Sequence, residues 1–354
     1  MTSWLKGAPA VLAVIAIAIA AAVGFCAFSY RNDMRIDTAR GVDEAGYVKI
    51  GGIDQWVQIR GRDRSNPVLL YLNGGPGFSQ IRNSYAFRSW EKDFTLVMWD
   101  PRGQAKTFAR SGTSVKDTMT LKQFTSDGIE VAEYLRTHLH KAKIILLGHS
   151  FGSMVGVHMV HVRPDLFYAY VGTGQVTNLE KQEEFAYPRL IERARKLGNK
   201  TAEQQLVAAG PPPYPLKGLA KWTEISWANE LDPVPQRPPM TPGRAWFFMR
   251  SLFSLRRLEP SVVFSQETMW GEVLADDLPS LGLKFDVPVV MIQGSEDLVT
   301  PTPLGKEYFD RIEAPTKDFV LLNGSGHAAL IVEPLLFHQV LVAHVRPLAL
   351  STGN

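Results

Sequence analysis

The sequence predicts an α/β chain with a mostly parallel central sheet, helices on both faces, and a helical cap inserted between two strands. Three observations carry this. Short apolar runs alternate with stretches of helical periodicity. Runs such as Ile144-Ile145-Leu146-Leu147 and Val287–Ile292 are apolar on both faces, as a parallel strand covered by helices on each side requires. The alternation then stops between about Val176 and Ala275, where no β-type run stands out.

Taken in order, the first element is an apolar segment. Ala8–Phe28 holds 21 residues without a charge, and a helix of that length rises about 30 Å, the thickness of a bilayer's hydrocarbon core. Residues 1–30 therefore read as a transmembrane anchor or a signal segment. The anchor is preferred because Val23–Phe28 continue the apolar run past the small residues Ala20 and Ala22, where a signal peptidase would cut. Lys6 precedes the segment and Arg31, Arg35 and Arg40 follow it, so charge leaves the membrane face open. If the segment is cleaved, the rest is exported. Cys26, the single cysteine, lies inside it, so the remainder has no disulfide.

Residues 31–175 read as the first part of the core. Tyr47–Ile50 and Ile53–Ile59 flank Gly51-Gly52, a hairpin with a tight glycine turn. Strands follow at Pro67–Leu72, Thr95–Trp99, Lys143–Leu147 and Tyr168–Gly172, with helices at Leu121–Leu139 and Phe151–Val162. Residues 176–275 form the cap. It holds helices at Glu180–Leu197 and Thr201–Ala209, proline-rich pieces at Pro211–Pro215 and Pro233–Pro242, and Trp222, Trp227, Trp246 and Trp270. Its expected place is over the carboxyl ends of the strands, where open α/β sheets bind ligands. Residues 276–354 complete the core with strands Val287–Ile292 and Asp318–Leu322 and helices Pro303–Ile312 and Pro334–Val345.

Gly148-His149-Ser150-Phe151-Gly152 joins a strand to a helix. A serine on so sharp a turn projects into the cleft, and the flanking glycines let backbone pass closely. Ser150 is the candidate nucleophile. A serine hydroxyl needs a base, and of eight histidines only His327, in Gly324-Ser325-Gly326-His327, lies in a loop just past a strand. Asp297, after Val287–Ile292, is the candidate carboxylate that orients it, with Glu296 beside it as a substitute. Asp286 precedes its strand and lies at the wrong end. Oxyanion donors are expected from the Phe151 amide and from Gly75, with Gly74 next, in the glycine-rich Asn73–Gly77 after the first core strand.

Other chemistries find no support. No metal cluster, P-loop or dinucleotide fingerprint is present, so no cofactor is expected. The net charge is +3 and no Lys/Arg run reaches five residues, which argues against nucleic acid. The oligomeric state is not readable.

With these residues in place the chain resembles the proline iminopeptidase branch of the α/β-hydrolases, serine peptidases of the S33 type, from about Tyr47 onward. Asn73–Gly77 is similar to that family's HGGPG, with Asn73 in place of histidine. Asp100-Pro101-Arg102-Gly103 resembles its D-x-R-G, whose Asp and Arg are structural. Gly148–Gly152, Gly294–Pro301 and Gly326-His327 match the remaining motifs. The resemblance implies the α/β-hydrolase fold, acyl-enzyme hydrolysis by a Ser-His-Asp triad, and a small or short-peptide substrate. It also implies acidic cap residues that hold the substrate's free amino group, for which Glu224 and Glu230 are the candidates. The alternatives are a carboxylesterase or amidase of small apolar acyl substrates, and a non-catalytic binding protein, which would need a broken triad.

Overall fold

The computed structural model describes residues 8–214, 219–233 and 239–350. Lys6, Pro215, the side chain of Trp222 and residues 234–238 of the second proline-rich piece lie outside the described residues. The chain opens with α1 (Ala8–Asp33), whose apolar run from Val11 is exposed along its length. The core begins with the hairpin β1 (Val42–Ile50) and β2 (Ile53–Gly61), turning at Gly51 and Gly52, both at positive φ. β3 (Val68–Leu72), β4 (Thr95–Asp100), α2 (Ala105–Ser111), α3 (Leu121–His138), β5 (Ile144–His149), α4 (Phe151–Val162) and β6 (Phe167–Thr173) follow. Among the described residues, four helices lie between β6 and the next strand: α5 (Leu179–Lys196), α6 (Lys200–Ala209), α7 (Leu219–Glu230) and α8 (Pro242–Ala275). The chain then returns through β7 (Val289–Gly294), α9 (Thr302–Arg311), β8 (Lys317–Leu322), α10 (Ala329–Val332), α11 (Pro334–Val340) and α12 (Arg346–Leu350).

The eight strands form one sheet in the order β1-β2-β4-β3-β5-β6-β7-β8. β2 pairs antiparallel with both β1 and β4, and every pairing from β4 to β8 is parallel. The central strands are buried on both faces, and their side chains divide between two cores by strict alternation. Leu70, Ile144, Leu146, Val289 and Met291 face the core beneath α3 and α4. Leu69, Tyr71, Ile145, Leu147, Val290 and Ile292 face Trp90 and Phe337 on the other side.

One buried ion pair ties the hairpin turn to this core. Arg102 Nε and Nη2 donate to Asp127 of α3 at 2.7 and 3.0 Å, and Arg102 Nη2 also donates to the Gly51 carbonyl. Gln55 and Gln123 donate to the same carboxylate, so a charge placed inside a helix face is fully satisfied. The last turn of α1 is fixed to the body as well. Tyr30 stacks on Tyr85, Tyr85 stacks on Phe247 of α8, and the Tyr85 hydroxyl donates to Asp33.

Candidate active site

Ser150 caps α4 at φ 53° and ψ −124°, a backbone region that L-residues rarely adopt. The glycines around it make the turn sterically feasible. A Cβ on Gly152 would lie 2.2 Å from the Leu72 carbonyl oxygen, and one on Gly148 would lie 2.5 Å from that of Gly152. The turn is pinned by Ser150 N donating to the Thr173 carbonyl and Ser153 Oγ donating to that of Ser150. Ser150 opens onto a cavity of about 350 Å³, a size suited to a small ligand.

His327 reaches the same cavity from the loop after β8, and Asp297 supports it from the loop after β7. His327 Nδ1 lies 3.0 Å from Asp297 Oδ2, and both side chains are buried. A carboxylate only accepts, so Nδ1 carries the proton and Nε2 keeps its lone pair. Asp297 also accepts from the amides of Val299 and Thr300 and from Thr300 Oγ1, at 2.8–2.9 Å. Burial pushes both groups toward their neutral forms. For Asp297 the neighbouring His327 and the Thr300 donors outweigh it, and its carboxyl sits below the usual range. For His327 the facing Asp297 outweighs it, and the imidazole sits above its usual value. A neutral imidazole with one nitrogen tied to a carboxylate is a competent proton acceptor for a nearby hydroxyl. Glu296, the neighbouring acid, is exposed and pairs instead with Arg193 at 3.5 Å.

Two further groups steady this histidine without any motif of their own. Asp232, just beyond α7, accepts from the backbone amides of His327 and Ala328 at 2.8 and 3.1 Å. Burial raises its carboxyl above the usual range. His149, inside the turn before Ser150, donates Nε2–H to the His327 carbonyl at 3.1 Å. Burial, and then the nearby His327, depress its pKa to about 3, so it stays neutral.

The glycine-rich loop after β3 lines the cavity through Gly74 and Gly75. A Cβ on Gly74 would come within 3.2 Å of the Ser150 Cβ, so this backbone passes close over the serine, while Gly75 sits at φ 135° beside Phe78. Phe151 lines the same wall.

Of the two acids Glu224 and Glu230, only one lines the cavity. Glu224 is buried at 4% exposure and lines the cavity. Glu230 is exposed at the end of α7 and is absent from the cavity wall, which corrects its expected role. Six residues along a helix turn the side chain by about 120° from Glu224, so both cannot share one face. The second acid at the cavity is Glu183 of α5, 7% exposed, which sequence reasoning missed. Its signal was a charge on an apolar stripe, since Leu179, Glu183, Ala186 and Leu190 recur at helical spacing and are all buried. Trp270 of α8 lines the cavity, whereas Trp227 donates its indole N–H to Gln205 elsewhere.

A sheet of this order, with a strand-serine-helix turn and an acid and a histidine on later strand ends, defines an α/β-hydrolase. The chain belongs to that family: the profile described as "alpha/beta hydrolase fold" matches residues 67–334. A probable aminopeptidase, YbaC of Bacillus subtilis (strain 168), is 30% identical over 84% of this chain and 95% of that protein. The proline iminopeptidase of Lacticaseibacillus rhamnosus (strain Lc 705) is 25% identical over 84% and 96%. Among solved structures, proline iminopeptidase from Mycobacterium smegmatis superposes with a TM-score of 0.62 at 19% identity, covering 87% of this chain and 100% of that one. The chain is thus an α/β-hydrolase enzyme that resembles the proline iminopeptidases.

Proposed function

We propose that this enzyme is a membrane-anchored serine aminopeptidase that removes proline or a similar small residue from the amino terminus of short peptides. Ser150 Oγ attacks the scissile carbonyl while His327 Nε2 takes its proton. Asp297 stabilises the imidazolium, and the amides of Phe151 and Gly75 receive the oxyanion. His327 then protonates the leaving amine. Water, activated by the same imidazole, attacks the acyl-enzyme and releases the amino acid.

The observation that carries this reading is the pair of carboxylates, Glu183 and Glu224, buried on the wall of the cavity that contains Ser150. A substrate ammonium taken out of water needs a paired charge, and an acyl ester without an amine needs none. Helices α5, α7 and α8 then act as a cap that limits the length beyond the amino group. The relative named as an aminopeptidase and the iminopeptidase likenesses favour the same choice. The anchor is α1, apolar, exposed and long enough to cross a bilayer.

The test compares proline p-nitroanilide, its N-acetyl derivative and p-nitrophenyl butyrate on the full chain in detergent, with Ser150→Ala as control. Turnover of the free-amine anilide, lost on N-acetylation and in Ser150→Ala, is the expected result. Ester turnover with no anilide turnover would assign the enzyme to the carboxylesterases.

A further inference from the structure

A second cavity, of about 890 Å³, lies between the end of α1, α8 and the β2–β4 edge of the core. Its wall is strongly basic: Arg31 in the last turn of α1, Arg35 just beyond that helix, Arg60 of β2, Arg82 of the loop after β3, Lys106 of α2, and Arg250 of α8. Two carboxylates, Asp43 and Asp100, face them. Arg60 is already engaged by Glu91 at 2.6 Å and by Asp43 at 2.5 Å. Lys106 lies over the Trp56 ring at 3.5 Å, with Asp100 nearby. Arg250 reaches toward the Tyr30 ring, 5.5 Å from its centroid. Among the described residues none of Arg31, Arg35, Arg82 and Arg250 has a carboxylate within ion-pair distance, so four positive charges border one concavity against only the two carboxylates Asp43 and Asp100. The apolar run of α1 ends at Phe28, immediately before this wall. A helix seated in a bilayer would therefore hold the cavity at the depth of the lipid phosphates.

We propose that this cavity binds the phosphate-bearing headgroup of an anionic membrane lipid, at a site that shares only the Arg82 wall with the hydrolytic cavity. Guanidinium groups match phosphate geometry, and the volume exceeds what a bare phosphate fills. The chemistry alone would also accept free phosphate. The position beside α1 selects the lipid and rests on α1 remaining in the bilayer.

The test uses the full chain in lipid nanodiscs of phosphatidylcholine, with and without phosphatidylglycerol, and counts retained lipids by native mass spectrometry. Wild type is expected to retain phosphatidylglycerol preferentially, and Arg35→Gln and Arg250→Gln are each expected to lower that preference about fivefold. Arg40→Gln, which removes a charge near α1 but outside the cavity, should leave it unchanged. Unaltered melting and unaltered turnover of soluble substrate show that the variants are folded. No preference in wild type, an unchanged preference in Arg35→Gln and Arg250→Gln, or an equal loss in Arg40→Gln would each overturn the site. Displacement of the lipid by millimolar inorganic phosphate would overturn the headgroup and assign the site to free phosphate. Failure of the chain to enter discs would overturn the anchor, and this site with it, while leaving the peptidase reading untouched.

Discussion

Replacing Glu224 by Gln separates recognition of a substrate amine from general upkeep of the cavity. The substitution keeps the shape and one acceptor oxygen, removes the charge, and turns the other oxygen into an NH2 donor. Two unit charges about 4 Å apart at an effective dielectric near 20 attract by about 4 kcal/mol. In the proposed complex each of Glu224 and Glu183 makes one such pair with the ammonium, and the desolvation of the charges offsets about half of it, so losing one carboxylate removes about 2 kcal/mol. That is about a 30-fold fall in kcat/KM for proline p-nitroanilide. An acyl ester brings no ammonium, so p-nitrophenyl butyrate should change by less than about twofold. The double variant Glu183→Gln/Glu224→Gln should lose close to three decades on the anilide alone. Parallel Michaelis–Menten series on the two substrates supply the numbers. Equal losses on anilide and ester would make Glu224 a structural residue, and no loss on either would refute amine recognition by this pair.

Three further outcomes follow from the geometry. The base must be neutral to accept a proton, and Asp297 holds the imidazolium form of His327 above its ordinary value. Activity on the ester should therefore climb with pH through a midpoint above 6.5 and then level off. The anilide should fall again as its own amine, with a pKa of about 8, loses its proton. An acid midpoint at or below 6.5 in the ester profile would contradict this. Asp232→Asn removes a negative charge that favours the imidazolium and disturbs two amide contacts. It should lower kcat about tenfold and move the acid midpoint downward, which a merely destabilised loop would not do. Arg102→Met leaves Asp127 buried without its cation and should cost about 3–5 kcal/mol in chemical denaturation.

The sheet was legible because its central strands carry the demand of burial on both faces, so β5 and β7 show as unbroken apolar runs. The hairpin was legible only in part. β1 begins at Val42, five residues earlier than its apolar end implies, because Asp43, Glu44, Ala45 and Gly46 pair with β2 despite poor strand propensity. The placing of β4 between β2 and β3 was not readable, since it depends on a crossover rather than on any local pattern. α8 was hidden too: it runs 34 residues through Pro260, and a proline-punctuated sequence does not advertise one helix.

In the site, Ser150, Asp297 and His327 each follow a strand end with glycine nearby, so chain order and local motif made them the candidates, and the structure brings Asp297 and His327 within 3.0 Å. Glu183 left a faint mark as a charge on an apolar stripe. Asp232 left none, because its two acceptors matter only once the insert folds back onto the His327 loop. Glu230 failed because spacing in sequence is not a shared helix face. The basic cavity behind α1 was equally invisible, as its arginines come from four separate segments.

The central claim is that Ser150 forms the acyl-enzyme with His327 as its base. Labelling the full chain with a fluorophosphonate, followed by intact mass and peptide mapping, tests it directly. The account predicts one adduct per chain, on Ser150, absent from Ser150→Ala and formed far more slowly in His327→Ala. An adduct that persists in Ser150→Ala, or substrate turnover by a chain that never takes the label, would contradict it.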